Sequence, residues 1–370
     1  MTAGAQLAEE LRHIGRRAGL DRVGICEAAP FSEALQAIEA RKRSGESATM
    51  QFTFRRPARS TDPQVTLPGA RALFVGARSY LRRPPRSGAG PAGRVARYSW
   101  VDHYAPLRRA LGEVAGRLKE EGWRAVVLAD DNALVDRAAA VRAGIGWYGK
   151  NANVLIPDEG SWFVLGSVLT DAPIAPETPA EPVPDGCGTC GRCMADCPTA
   201  AIVAPGHLDA RRCLAWLLQA PGAFPVEFRV ALGDRLYGCD ECQERCPVNR
   251  RFQRRTTPPP PEAGAQAVVP VLEILEASDG EIEELVGRWY IPGRELRYVR
   301  RNALVVLGNT GAGDDRRVEA VLSAYLAQPD GLLRAHAVWA AVQLRRRDLL
   351  RAVAGDDDPM VAAELARAGA

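Results

Sequence analysis

Cys187-Gly-Thr-Cys190-Gly-Arg-Cys193-Met-Ala-Asp-Cys197-Pro198 is answered downstream by Cys239-Asp-Glu-Cys242-Gln-Glu-Arg-Cys246-Pro247, with Cys213 between them. Eight of the nine cysteines fall in this window. The first half is the run C-x2-C-x2-C-x3-C-P, in which three thiolates hold one [4Fe-4S] cluster and the fourth crosses to a second. The other half repeats C-x2-C-x3-C-P, with its first ligand displaced upstream to Cys213. Following the crossover, one cluster is assigned to Cys187, Cys190, Cys193 and Cys246. The second is assigned to Cys213, Cys239, Cys242 and Cys197. Zinc also takes four thiolates, but its usual two C-x2-C pairs do not generate this run nearly twice. Disulfides fit poorly, because no secretory signal is read at the start and cysteines this close in sequence suit a metal. The chemistry implied is one-electron transfer.

Outward from this window, 370 residues leave room for two or three domains, and 46% apolar residues is ordinary for globular proteins. No apolar run reaches transmembrane length, and Met1 to Arg16 has neither an apolar signal core nor a twin-arginine signal. A soluble chain in a reducing, cytoplasmic compartment is expected. The net charge of +3 says nothing by itself about nucleic acid.

Before the cysteines, helical periodicity covers Leu7 to Gly19, Phe31 to Arg43 and Tyr104 to Glu121. Strand-length apolar runs are Arg22 to Cys26, Arg71 to Ala77, Arg124 to Ala129 and Ser161 to Thr170. Continuous apolar runs suit strands covered on both faces, and their alternation with helices makes residues 1–175 an α/β domain. Cys26, in one of these strands, reads as a small buried hydrophobe. A proline-rich linker opens the cluster domain, 176–258, and Pro258 to Pro261 closes it. Residues 262–370 are helical: Val271 to Glu276, Glu281 to Arg288, Arg297 to Leu307, Arg316 to Ala327, Leu332 to Gln343 and Met360 to Ala368. Their short, repeated helices resemble HEAT-type pairs.

Three other features invite a functional reading. Gly144-Ile-Gly146-Trp-Tyr-Gly149 matches G-x-G-x-x-G, but it follows the helical stretch Ala133 to Ala143 rather than a strand. That context favours a helix C-cap and turn over dinucleotide binding. Asp130-Asp131-Asn132 stands at the carboxyl end of a strand, where ligands collect in open α/β sheets. Any of the three also suits a helix cap, so both roles are open for Asp130 at this level. Arg250-Arg251-Phe252-Gln253-Arg254-Arg255 leaves the cluster domain directly. An aromatic among arginines suits a phosphate backbone with an exposed base, while a plain solvated face would read the same way. The four histidines have no metal-ligand spacing, and no Asp-x-His-x-x-Gly is present to place a histidine on cobalt.

Taken together, these blocks resemble the epoxyqueuosine reductases, cobalamin-dependent iron–sulfur enzymes that complete queuosine in tRNA. The resemblance runs through Leu67-Pro-Gly-Ala-Arg71, Arg142-Ala-Gly-Ile-Gly-Trp-Tyr-Gly-Lys-Asn151, Gly160-Ser-Trp-Phe163 and Pro198-Thr-Ala-Ala-Ile202. It continues through Leu208 to Cys213, Arg235-Leu-Tyr-Gly-Cys-Asp-Glu-Cys242 and Arg300-Arg-Asn-Ala-Leu304. It implies a nitroreductase-like cobalamin domain, a bacterial-type two-cluster ferredoxin domain and an all-α HEAT-like region that grips tRNA. It implies removal of the epoxide oxygen of epoxyqueuosine at the wobble position, with electrons from an external donor. Its proton donor falls on Asp130. Cobalamin contacts fall on Arg55, Asp130, Val154, Gly166, Leu169, Ala215, Cys239 and Asp240, and tRNA contacts are expected at Arg250, Arg251, Arg254 and Arg255. A monomer without membrane attachment is expected. The chain departs from the family's pattern at Leu214 to Gly222, where Gly222 replaces a basic residue, and at Val248, where tryptophan is usual.

Three other readings compete. A cobalamin-dependent reductive dehalogenase pairs a similar domain with two clusters, but is commonly exported and lacks the helical tail. An electron-transfer subunit needs only the clusters and leaves Asp130, the Gly-Trp-Tyr-Gly-Lys-Asn block and the tail without a role. A helical-repeat RNA-binding protein with structural clusters leaves Asp130 idle.

Overall fold

The computed structural model describes residues 2–84, 90–176, 178 and 180–369. The chain divides into two compact units. The first takes Met1–Arg82, Asp102–Arg211 and Glu241–Pro259; the second takes Arg83–Val101, Arg212–Asp240 and Pro260–Ala370.

The first unit is built on a four-stranded sheet in the order Arg22–Glu27, Ala72–Ser79, Phe163–Thr170, Ala125–Ala129. Ala72–Ser79 is a long apolar run because it is interior to the sheet and covered on both faces. Phe74 and Gly76 lie against the side of helices Ala3–Arg17 and Tyr104–Glu120, where a Cβ on Gly76 would come within 3.3 Å of Leu111 and one on Gly15 within 2.9 Å of Phe74. Leu73, Val75 and Ala77 pack on the other side with Ala139, Ala140 and Leu134 around helix Asp136–Arg142. Alternation along the strand puts these two sets on opposite faces.

All three pairings in this sheet are antiparallel. The strands and their double cover are those expected, but their alternation with helices does not generate a parallel sheet. The rule that ligands gather at the carboxyl ends of parallel strands therefore lends no weight to Asp130.

The second unit carries a three-stranded sheet in the order Arg235–Tyr237, Ala92–Val95, Val268–Pro270. Helices Val271–Glu276, Asp279–Val286, Arg297–Thr310, Arg316–Leu326, Gly331–Gln343 and Pro359–Ala368 follow, close to the expected bounds. Four of the six starts are set by side-chain caps: a Ser278–Glu281 capping box, then Asp315, Asp330 and Asp358 accepting from backbone N–H groups.

The core of this unit is not made by the tail alone. Leu214, Leu217, Leu218, Phe224, Leu232, Leu236 and Tyr237 join Val271, Ile274, Leu304 and Val338 in one apolar cluster. The segment between Cys213 and Cys239 thus folds with the C-terminal helices. The three sequence-derived segments 1–175, 176–258 and 262–370 do not coincide with these two units, because a mostly apolar insert finds its burial in the tail.

Candidate cluster sites and active-site carboxylate

In the first unit the fold brings Cys187, Cys190, Cys193 and Cys246 together. The Cys193 thiol is pushed up to about 11, first by burial and then by the neighbouring Cys187, Cys246 and Cys190. Thiols so placed resist ionising together, and cationic iron would relieve that repulsion. Cys246 stands at the N-terminus of helix Pro247–Thr256, and its sulfur accepts the backbone N–H groups of Asn249 and Val248. Burial still raises its pKa, but these amides favour the thiolate. The amide of Ala201 points at Cys197 Sγ, 3.2 Å away. Amide-to-sulfur bonds of this kind are how proteins tune cluster ligands. The donor set fits a [4Fe-4S] cluster. Among the described residues no three His, Cys, Asp or Glu side chains converge as they would around a single metal ion. An iron–sulfur cube, with one iron for each thiolate, holds its four ligands farther apart than one ion does.

The glycine-rich block around Trp147 explains itself against this loop. Gly144, at φ +70°, closes helix Asp136–Arg142, so the C-cap reading holds. Trp147 then packs with Cys246 and Val248, and a Cβ on Gly186 would fall 2.7 Å from its ring. Lys150 Nζ donates to Gly188 O at 2.6 Å, and Asn151 Nδ2 to Cys242 O at 3.4 Å. Asn249, fully buried, accepts the Ser161 N–H at 2.7 Å and donates to Gln243 O at 2.8 Å.

Of the other four cysteines, Cys197 and Cys242 belong to the first unit and Cys213 and Cys239 to the second. Cys213 caps the turn Leu214–Leu217, its carbonyl accepting from Trp216 and Leu217 at 2.9 Å. Cys239 follows Gly238, whose φ is +69° and whose Cβ would lie 2.5 Å from Ala96 Cβ; only glycine suits this turn. Beyond it, Asp240 Oδ2 accepts the Arg97 N–H at 2.7 Å.

Asp130 sits just past strand Ala125–Ala129 in a left-handed conformation, φ +55°, which aspartate tolerates better than most residues. Asp131, not Asp130, takes the local capping role: its Oδ1 accepts the Ala133 N–H at 2.8 Å. The helix itself begins later than expected, at Asp136. The Asp130 carboxyl makes no hydrogen bond among the described residues and remains open to solvent. Surrounding protein nevertheless raises its pKa by desolvation; Arg108 opposes the rise, and Asp102 and Asp131 add to it. A carboxyl that is reachable and holds its proton more tightly than usual is equipped as a general acid.

Sequence reasoning missed the groups around it. Asp102 accepts the N–H groups of Tyr104 and Ala105 at 2.9 Å, starting helix Tyr104–Glu120. Burial raises the Tyr104 phenol, with Asp130 and Asp136 contributing. Asp136 is raised well above the carboxylate range, chiefly by burial and next by Asp130, and its Oδ1 has no hydrogen-bond partner among the described residues. The Asp102-His-Tyr104 start of a helix was the available signal.

The other residues assigned to cobalamin separate into two groups. Val154 and Leu169 lie in the apolar core of the first unit. Gly166 pairs with Ala129, and a Cβ there would meet Leu111 at 2.8 Å. Packing within this core accounts for the burial of these three residues. Arg55 ends the single turn Phe52–Arg55 with its side chain exposed, while Ala215, Cys239 and Asp240 in the second unit are partly exposed. Arg250, Arg251, Arg254 and Arg255 are exposed on helix Pro247–Thr256, and Arg255 Nη2 donates to Asp158 O at 2.8 Å.

Residues 186–249 match the family described as a 4Fe-4S double cluster binding domain. Over 347 residues the chain is 32% identical to the epoxyqueuosine reductase of Bacillus cereus, covering 90% of this chain and 88% of that one. The chain belongs to the epoxyqueuosine reductase family. The Xanthomonas campestris epoxyqueuosine reductase is 36% identical over 354 residues, 91% of this chain and 96% of its own. Among solved structures, an epoxyqueuosine reductase with an epoxyqueuosine-modified tyrosine tRNA stem loop superposes with a TM-score of 0.85 at 30% identity, covering 99% of this chain and 98% of that chain. A Bacillus subtilis epoxyqueuosine reductase, solved with an aspartate-bearing catalytic loop swung out of the active site, matches with a TM-score of 0.85 at 29% identity over 99% and 98% of the two chains.

Proposed function

We propose that this chain reduces epoxyqueuosine in the anticodon loop of tRNA to queuosine. Two electrons and two protons convert the epoxide to an alkene and release its oxygen as water. The observation that carries this reading is Asp130, an accessible carboxyl of raised pKa, in a chain that spans nearly the full length of its relatives. A solved relative whose catalytic loop bears an aspartate supports the same assignment.

Asp130 supplies the proton to the departing oxygen, and desolvation makes it hold that proton more tightly than an ordinary aspartate does. Arg108 opposes that rise. Cobalamin, when bound, supplies a strongly reducing metal centre to the epoxide carbon. Of the assigned contacts, Arg55, Asp130, Ala215, Cys239 and Asp240 keep open surface and would hold it. Cys187, Cys190, Cys193 and Cys246 would hold one [4Fe-4S] cluster, and Cys213, Cys239, Cys242 and Cys197 the other; such clusters would supply one-electron transfer from an external donor.

The exposed arginines Arg250, Arg251 and Arg254 are the proposed phosphate contacts, with Arg255 partly committed to Asp158. Within this reading residues 1–175 correspond to a nitroreductase-like cobalamin domain, 176–258 to a ferredoxin-like domain and 262–370 to a HEAT-like region, in a cytoplasmic monomer. Cobalamin uptake by the anaerobically reconstituted protein, followed by its absorption spectrum, tests the cofactor assignment; failure to bind would remove it.

A further inference from the structure

Helix Arg297–Thr310 carries a buried polar side chain of unusual reach. Arg301 has no exposed surface. Its Nη1 donates to Ala220 O at 2.7 Å and Gly222 O at 2.6 Å, and its Nη2 to Leu217 O at 3.2 Å and Leu218 O at 3.4 Å. Nε and Nη2 also donate to Asn302 Oδ1, at 3.1 and 2.8 Å. Burial opposes its charge, lowering the guanidinium pKa to about 9, so it remains protonated at neutral pH.

The Asn302 amide completes the arrangement. Its Nδ2 donates to Leu218 O at 2.8 Å and to Leu236 O at 3.3 Å. One side chain thus ties the turn that follows Cys213 to the strand that precedes Cys239. Two turns further along the same face, Asn309 Nδ2 donates to Arg229 O at 2.8 Å and Gly233 O at 3.0 Å. The same helix therefore holds the insert at three places along its length.

From this geometry we propose that Arg301 and Asn302 are positioning residues for the second iron–sulfur cluster, setting the separation of its ligands Cys213 and Cys239. This rests on the reading that both cysteines bind that cluster. A cluster tolerates little change in thiolate placement, and neither cysteine lies in a regular element that would fix it alone. Buried carbonyls stripped of their donors are costly, so the insert relaxes when the staple is lost. On this account the tail's Arg301-Asn302 pair belongs to the electron-transfer machinery, not only to a nucleic-acid grip.

The test uses the full chain, reconstituted anaerobically. Asn302→Asp still accepts from Arg301 but cannot donate to Leu218 O or Leu236 O. Iron should fall from about eight to about four per chain, with one set of reduced-cluster electron paramagnetic resonance signals retained. In the metal-free protein, amide exchange at 214–222 and 236–239 should accelerate at least tenfold. Arg334→Met, which breaks the Arg334–Asp356 pair in the same tail, should keep both clusters. Full iron and unchanged exchange in Asn302→Asp would overturn the proposal, as would equal cluster loss in Arg334→Met. Wild-type protein holding fewer than two clusters would instead count against the ligand assignment itself.

Discussion

Lys150 Nζ donates a 2.6 Å hydrogen bond to the carbonyl oxygen of Gly188, inside the loop between Cys187 and Cys190. With Trp147 packed on Cys246 and Val248, this turns the Gly-Trp-Tyr-Gly-Lys-Asn block into a brace for the cysteine loop proposed to hold the first cluster. Replacing Lys150 by Met removes a charge-assisted bond at a partly exposed site, a loss of about 1 kcal/mol or about fivefold. Iron release from the first cluster to a chelator should quicken by that factor, and Lys150→Arg should recover part of it.

Asp130→Asn should keep iron and cobalamin but lower turnover by about 10²–10⁴-fold, the usual worth of a general acid. The direction of the pKa shift sets the pH profile. A raised carboxylic acid is active while protonated, so the wild-type rate should fall as pH rises through its pKa. Turnover by the Asp130→Asn enzyme at the wild-type rate would take Asp130 out of the mechanism.

His336 predicts the acid behaviour of the second unit. It is fully buried; Nε2 accepts the Phe224 N–H at 3.1 Å and Nδ1 donates to Leu332 O at 2.7 Å, so the neutral ring is required. Burial, and then Arg229, depress its pKa well below the ordinary value. The folded state cannot take the proton that the unfolded chain binds below about pH 6.5. Stability is unaffected above that pH and lost below it, by up to about 1.4 kcal/mol per pH unit. Urea titrations between pH 7 and 5 check the slope; a flat profile would contradict it.

The double-cluster domain over residues 186–249 was legible in the sequence because cluster spacing is local: Cys187, Cys190 and Cys193 lie within seven residues. The strands and tail helices were legible through periodicity, whereas the caps at Ser278 and Asp330 that set two of the helix starts were not read. Pairing direction was not, since Ala72–Ser79 reads the same in parallel and antiparallel sheets. Nor was the burial of Val154, Gly166 and Leu169, which depends on distant partners such as Leu111. The insert's attachment to the tail depended on Asn302 meeting Leu218 and Leu236, 84 and 66 residues away. Only the fold could supply these.

Charge reversal at Arg250, Arg251 or Arg254 should weaken tRNA binding and reduce the salt slope by about one for each phosphate no longer neutralised. Arg255→Glu should cost less, because Arg255 is tied to Asp158 O. Filter binding across a salt series distinguishes these; wild-type affinity in all four variants would make the run a solvated face.

The central claim is tested most directly by chromatography of tRNA nucleosides after incubation with the reconstituted protein, cobalamin and a reductant. Queuosine should appear as epoxyqueuosine disappears, in equal amounts and far faster with wild-type protein than with Asp130→Asn. Epoxyqueuosine left unchanged by protein carrying both clusters and cobalamin would contradict the account.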